Sequence, residues 1–171
     1  MSNLRLLNET TASSVASLSI TDLFSADFNI YKIVLNDLQI STGTWVEWNY
    51  INSSGSILTS SEYDEAVLEL QDDTSYVESR STNQSRHIRG LRGGSDASNL
   101  GGLVMYIFNP FSSSSYTFAL TQSMGYISKG FGSKGIFVFT DTSSVTGINF
   151  NLDGQTFNNL TVRTYGLRVD T

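Results

Sequence analysis

Large apolar side chains in this chain either alternate with polar ones or form short runs, and Gly, Asn, Asp or Ser closes almost every run. That is the pattern of strands and turns rather than of helices. From the amino end it predicts strands over LRLLN (4–8), VASLSI (15–20), NIYKIVLNDLQI (29–40) and TWVEWNYIN (44–52), with INSSGSI (51–57) as a turn built on Gly55. TDLFS (21–25) reads as a single helical turn, with Thr21 or Asp22 capping free N–H groups. SEYDEAVLELQDD (61–73) is ambiguous: Tyr63, Val67, Leu68 and Leu70 nearly suit a helix, while the flanking turn residues favour a strand. Further strands are predicted over RHIRGL (86–91), GLVMYIFN (102–109), SYTFALTQ (115–122), GYIS (125–128), KGIFVFTDT (134–142), VTGINFNL (145–152) and LTVRTYGLRVD (160–170).

Finer features follow from phase. Ile148, Phe150 and Leu152 alternate with Asn149, Asn151 and Asp153, which predicts one dry and one wet face. In the last strand Leu160, Val162 and Thr164 start in one phase and Tyr165, Leu167 and Val169 continue in the other, so a bulge is expected across Tyr165 and Gly166. In NPFSSSSYTF (109–118) the single proline ends a strand, because Pro110 has no N–H to give a ladder and biases Asn109 toward extended backbone. The serines then satisfy a corner, Phe111 turns into the core, and Tyr116 and Phe118 resume the sheet.

Ten or more short strands without helical crossovers define an all-β protein, an antiparallel β-sandwich of jelly-roll type with at most one or two helical turns. A chain of 171 residues suits a single domain over 1–171. Composition adds that ten Phe, eight Tyr and two Trp supply much of the core, while Ser, Thr and Asn make up 57 positions and charged residues only 15%. A net charge of −6 argues against binding nucleic acid through a basic face. Without cysteine there are neither disulfides nor thiolate metal sites. MSNLRLLNET lacks the basic start and apolar core of an export signal, and no run approaches the roughly 18 apolar residues of a membrane span, so cytoplasmic synthesis and no membrane partner are expected.

Candidate chemistry is sparse. His87 is the only histidine, so a Ser-His-Asp triad would have to use it. Arg80, Arg86, Arg89 and Arg92 surround it, no carboxylate lies beside it in sequence, and no serine sits in a G-x-S-x-G elbow; a solvated or intersubunit histidine is the expected role, and no catalytic residue is assigned. Seven of the sixteen acids fall within 62–78, immediately before the arginines. Consecutive acidic and basic segments suit pairing within the chain or across an interface, which makes Arg80, Arg86, Arg89, Arg92, Asp72 and Asp73 the candidate interface residues. The acids do not follow EF-hand spacing, and neither a metal nor a cofactor is assigned. LRGGSDASNLGG (91–102) lacks the Lys-Ser/Thr of a phosphate loop and reads as a mobile surface loop; YISKGFGSKG (126–135) reads as a hairpin tip. Phe131 on that tip, with Trp45 and Trp48, are the candidate glycan contacts; the two tryptophans differ in strand parity, so one belongs to the core.

The phrases FNIYKIVLNDLQ (28–39), INSSGSI (51–57), NPFSSSSYTFAL (109–120) and VRTYGLRVD (162–170), in this strand order, resemble small β-rich virion structural proteins of marine tailed bacteriophages, cyanophages among them. The resemblance runs from about residue 5 to the end. It implies a structural protein on the particle exterior, as capsid decoration or a tail-appendage subunit, located in the virion after synthesis in the infected bacterium. It implies no catalytic residues, and its partners would be other phage structural proteins and copies of itself. The alternative is a receptor-recognition module that binds a host surface glycan.

Overall fold

The computed structural model describes residues 3–73, 76–96 and 98–168. Eleven strands are present among them, and no helix: β1 (Leu4–Ala12), β2 (Ser17–Ile20), β3 (Ile30–Ile40), β4 (Glu47–Asn52), β5 (Tyr63–Gln71), β6 (Val77–Gln84), β7 (Gly101–Phe108), β8 (Thr117–Tyr126), β9 (Gly130–Phe139), β10 (Val145–Asn151) and β11 (Phe157–Leu167). They form two antiparallel sheets, eight strands in the order β1-β11-β3-β7-β8-β9-β5-β6 and three in the order β2-β10-β4. The protein is an all-β, sandwich-like fold with unequal layers. Side chains of Tyr31, Ile33, Leu35, Met105 and Phe139 from the large sheet join Trp48, Tyr50, Ile148 and Phe150 from the small one in a single buried cluster.

Several expectations meet corrections. The ambiguous 61–73 segment is a strand, paired on both sides. GYIS is not a separate strand; its first residues continue β8 to Tyr126, opposite Gly130 of β9. RHIRGL forms no strand: His87 makes an isolated bridge with Trp48, and Arg92, just beyond the segment, makes another with Trp45. β6 has the sequence VESRSTNQ, with one apolar residue, so no hydrophobic alternation marks it. TDLFS forms no helical turn, because Asp22 adopts a left-handed φ of 53° and the amides of Leu23 and Phe24 both donate to the Thr146 carbonyl. Backbone partners taken from β10 replace the intrahelical ones.

β11 carries no bulge at Tyr165 and Gly166. It pairs without interruption against β3 from Thr161 to Leu167, and the extra residue lies in the neighbour, where Leu6 faces Tyr165 and Asn8 faces Thr164. Leu160, Val162, Thr164 and Gly166 are buried in one continuous phase. The apparent phase change arises because the Phe28 ring fills the inner space at Gly166, where an added Cβ would lie 2.6 Å from Phe28 Cγ. Tyr165 and Leu167 are half-buried residues of the opposite face; Val169 lies outside the described residues.

The wet face of β10 is partly dry, since Asn149 is buried and donates to Ser19 Oγ at 2.9 Å. At the NPFSSSSYTF corner Pro110 does follow the end of β7, but Asn109 is left-handed (φ 57°) rather than extended, a conformation that Asn tolerates better than most residues. Its carbonyl accepts from Ser112 N, and Ser112 Oγ accepts from Ser114 N, so serines do serve the turn. Phe111 is exposed rather than in the core.

Candidate interaction face

The segment after β6 brings the basic residues onto the protein. Its His87 is fully buried, with ring centroids 4.8 Å from Tyr63, 5.0 Å from Trp48 and 5.1 Å from Phe137. His87 N and O exchange hydrogen bonds with Trp48 O and N, both at 3.0 Å, which ties this loop to β4. The expected solvated or intersubunit histidine is therefore a core residue. Its pKa is lowered to about 3, and the cause is burial, not the neighbouring arginines. Glu65 Oε2 lies 3.9 Å from Nδ1, but that carboxylate is held elsewhere. Oε2 accepts from Ile88 N at 2.9 Å, while Oε1 accepts from Ser81 Oγ at 3.0 Å and from Arg89 at 3.2 Å. His87 stays neutral, with no nucleophile bonded to either ring nitrogen among the described residues.

The other interface candidates resolve into internal contacts. Arg86 pairs with the buried Glu47 at 2.8 Å, and Arg92 lies over Trp45 at 5.0 Å and near Phe131 at 5.9 Å. Asp72 accepts from Gly130 N at 2.9 Å, and Asp73 pairs with Lys129 at 3.1 Å. Acidic and basic segments thus meet within the chain at Glu65 and Arg89. Arg80 makes no ion pair among the described residues and points from the edge strand β6 to the outer side of the large sheet. Burial also removes two glycan candidates: Trp48 sits in the core, and Phe131 is buried in β9 rather than lifted on the tip, leaving Trp45 half-buried beneath Arg92. The 91–94 segment is packed, not mobile at the surface: Leu91, Gly93 and Gly94 are buried, and Gly94 O accepts from Ile40 N. Among the described residues no three His, Asp or Glu side chains converge as metal donors.

The feature that sequence reading missed is the outer face of the eight-stranded sheet. In β8 the buried positions are Thr117, Ala119, Thr121 and Ser123, whereas Phe118, Leu120, Met124 and Tyr126 are exposed. β5 repeats the inversion in part: Glu65 and Glu69 are buried beside the core residues Tyr63 and Val67, while Ala66, Leu68 and Leu70 point outward. Small and polar residues fit inside because other groups already fill that space. Gly90, at φ +144°, presses under Phe137, Trp48 and Thr121, and Ser133 Oγ donates to Gly90 O at 2.8 Å while contacting Ser123 Oγ at 2.6 Å. Cross-strand register aligns the outward residues into rows. One row runs Tyr106, Leu120, Ile136, Ala66, Arg80 across β7, β8, β9, β5 and β6. The next runs Val104, Gln122, Lys134, Leu68, Glu78. Between them opens a trough of about 930 Å³. This apolar face, whose most exposed members are Met124 at 72% and Ile136 at 56%, is the candidate interaction surface. The signal was present in sequence as FALTQSMGY, but alternation alone cannot say which phase faces in.

Comparison with known proteins adds little to this geometry. No family model and no curated protein matches the chain. Among solved structures, the chain is similar to a fructofuranosidase from Schwanniomyces occidentalis in complex with fructosylnystose, at 10% identity and a TM-score of 0.25. That alignment takes in 95% of this chain and 34% of the fructofuranosidase, so the chain spans about a third of that protein's length.

Proposed function

We propose that the protein is a non-catalytic structural subunit on the exterior of a tailed-phage particle, as capsid decoration or part of a tail appendage, and that it works through its surfaces. The observation that carries the assembly reading is the inverted polarity of β5 and β8, which places Leu68, Leu70, Phe118 and Leu120 in solvent and glutamate, threonine and serine inside. A monomer that acts alone gains nothing from such a face, whereas a subunit covered by a neighbour gains about 25 cal/mol for each Å² of apolar area removed from water. The resemblance of 28–39, 51–57, 109–120 and 162–170 to phage virion proteins supplies the particle. The test is mass spectrometry and antibody labelling of purified virions from a phage that encodes this chain. Presence in stoichiometric amount is expected, with tens to hundreds of copies for a capsid decoration and a few trimers or hexamers for a tail appendage. Absence from the particle refutes the proposal.

A further inference from the structure

We infer that the outer face of the eight-stranded sheet is covered by the same face of a second copy of this chain, the two sheets packing face to face about a two-fold axis. The inference builds on the assembly reading above and commits it to one partner.

Size comes first. The field spans β3, β7, β8, β9 and β5, from the Phe108–Phe118 row to the Met124–Leu70 row, mostly apolar with Lys32, Asp64, Gln122 and Lys134 among its members. Five strands about 4.8 Å apart and four side-chain rows about 6.7 Å apart give roughly 650 Å² per copy. Two such faces bury about 1,300 Å², which reaches the roughly 1,200 Å² at which specific, stable interfaces begin. A small ligand in the trough would leave most of this field wet.

Shape is the second argument. A regularly twisted sheet is a saddle, and a saddle turned over about a two-fold axis lying in its own plane fits itself. Two copies of one sheet therefore share the twist that aligned face-to-face packing requires.

Charge is the third. Arg80 and Glu78 lie two residues apart on the same side of β6, at the ends of adjacent rows. A dyad running across the strands between those two rows sets Arg80 of each copy against Glu78 of the other, two reciprocal pairs on the rim. The same dyad sets Leu120 against Gln122 and Ile136 against Lys134. The trough leaves room for the tips of these polar side chains with bridging water, while the lysine stem covers apolar surface. Among the described residues neither Arg80 nor Glu78 has an ion partner within its own chain.

Sedimentation velocity on the purified full chain, from about 1 to 100 µM, tests this directly; at typical affinities such an interface is half-populated within that range. The expected result is a species of twice 18.8 kDa that dissociates on dilution. Leu120→Lys combined with Ile136→Lys should weaken association at least about tenfold, because the dyad sets the new ammonium at position 136 against Lys134 of the other copy, while circular dichroism and the thermal melt stay as in the parent. Glu78→Arg or Arg80→Glu alone should weaken it, and the two together should restore it. A parent chain that remains monomeric at 100 µM, a dimer indifferent to the central double substitution, or a charge swap without restoration each overturns the inference. None of these results depends on where the protein resides in a virion, so this inference and the particle proposal fail separately.

Discussion

Acid should destabilise this protein through one residue, His87. The ring is fully buried against Trp48, Tyr63 and Phe137, and burial lowers its pKa from 6.5 to about 3. In the unfolded chain the imidazole takes up a proton below about pH 6.5, while the folded protein excludes it until about pH 3. The stability that depends on neutral His87 is therefore complete above pH 6.5 and falls as the pH drops toward 3. With those two values linkage gives a loss of about 2 kcal/mol between pH 7 and pH 5, of order 1.4 kcal/mol per unit once the unfolded state is fully protonated. Glu47 acts in the opposite sense, since burial raises its carboxyl pKa against the pull of Arg86. Its contribution cancels when two proteins sharing it are compared. The assay is urea unfolding at pH 7, 6 and 5 for the parent and for His87→Leu. The parent should lose about 2 kcal/mol more than the variant between the end points, whatever their difference at pH 7. Parallel pH profiles would refute the argument, as would a histidine resonance in the folded protein that titrates near 6.5.

Other substitutions probe the packing and the inverted strands. Gly147→Ala should cost about 2 kcal/mol or more in chemical denaturation, because the new Cβ would overlap the Ile20 carbonyl oxygen and lie 3.1 Å from Thr21 Cα, both of them backbone groups that side-chain motion cannot relieve. Thr121→Val should raise stability by about 1 kcal/mol, since the Thr121 hydroxyl is buried without a partner among the described residues and valine keeps the shape while removing it; a loss of stability would show that the hydroxyl is satisfied. Glu65→Leu should cost about 2–4 kcal/mol and loosen the 85–92 loop in hydrogen exchange, as it strips partners from Ile88 N, Ser81 Oγ and Arg89.

Strand positions were largely legible because period-two alternation and turn residues are local signals. β3, β7 and β10 lie within about a residue of where their patterns place them, whereas β9 starts at Gly130, inside the stretch that reads as a hairpin tip. The Gly55 turn also follows from its own sequence: Gly55 has φ 80°, and Asn52 Oδ1 accepts from Ser54 N and Ser56 N. β6 escaped because a polar edge strand borrows its stability from its neighbour β5 and needs no apolar face of its own. The bulge was placed on the wrong strand because a phase change in β11 looks the same whether the backbone slips or a distant ring, here Phe28, fills the inner side of a glycine.

Sequence by itself determined the all-β class, the antiparallel alternation, most turns and the concentration of mass in aromatic side chains, all of which depend on contacts within a few residues. Tertiary structure decided which phase of each strand faces inward, and with it the character of the surface. Whether Leu120 or Thr121 belongs in the core depends on what lies opposite, and the groups opposite Thr121 are distant in sequence, Gly90 and Trp48 from earlier segments and Phe137 from the neighbouring strand. The same long-range filling buried His87, which the chain presents among arginines, and left an apolar sheet face open to solvent.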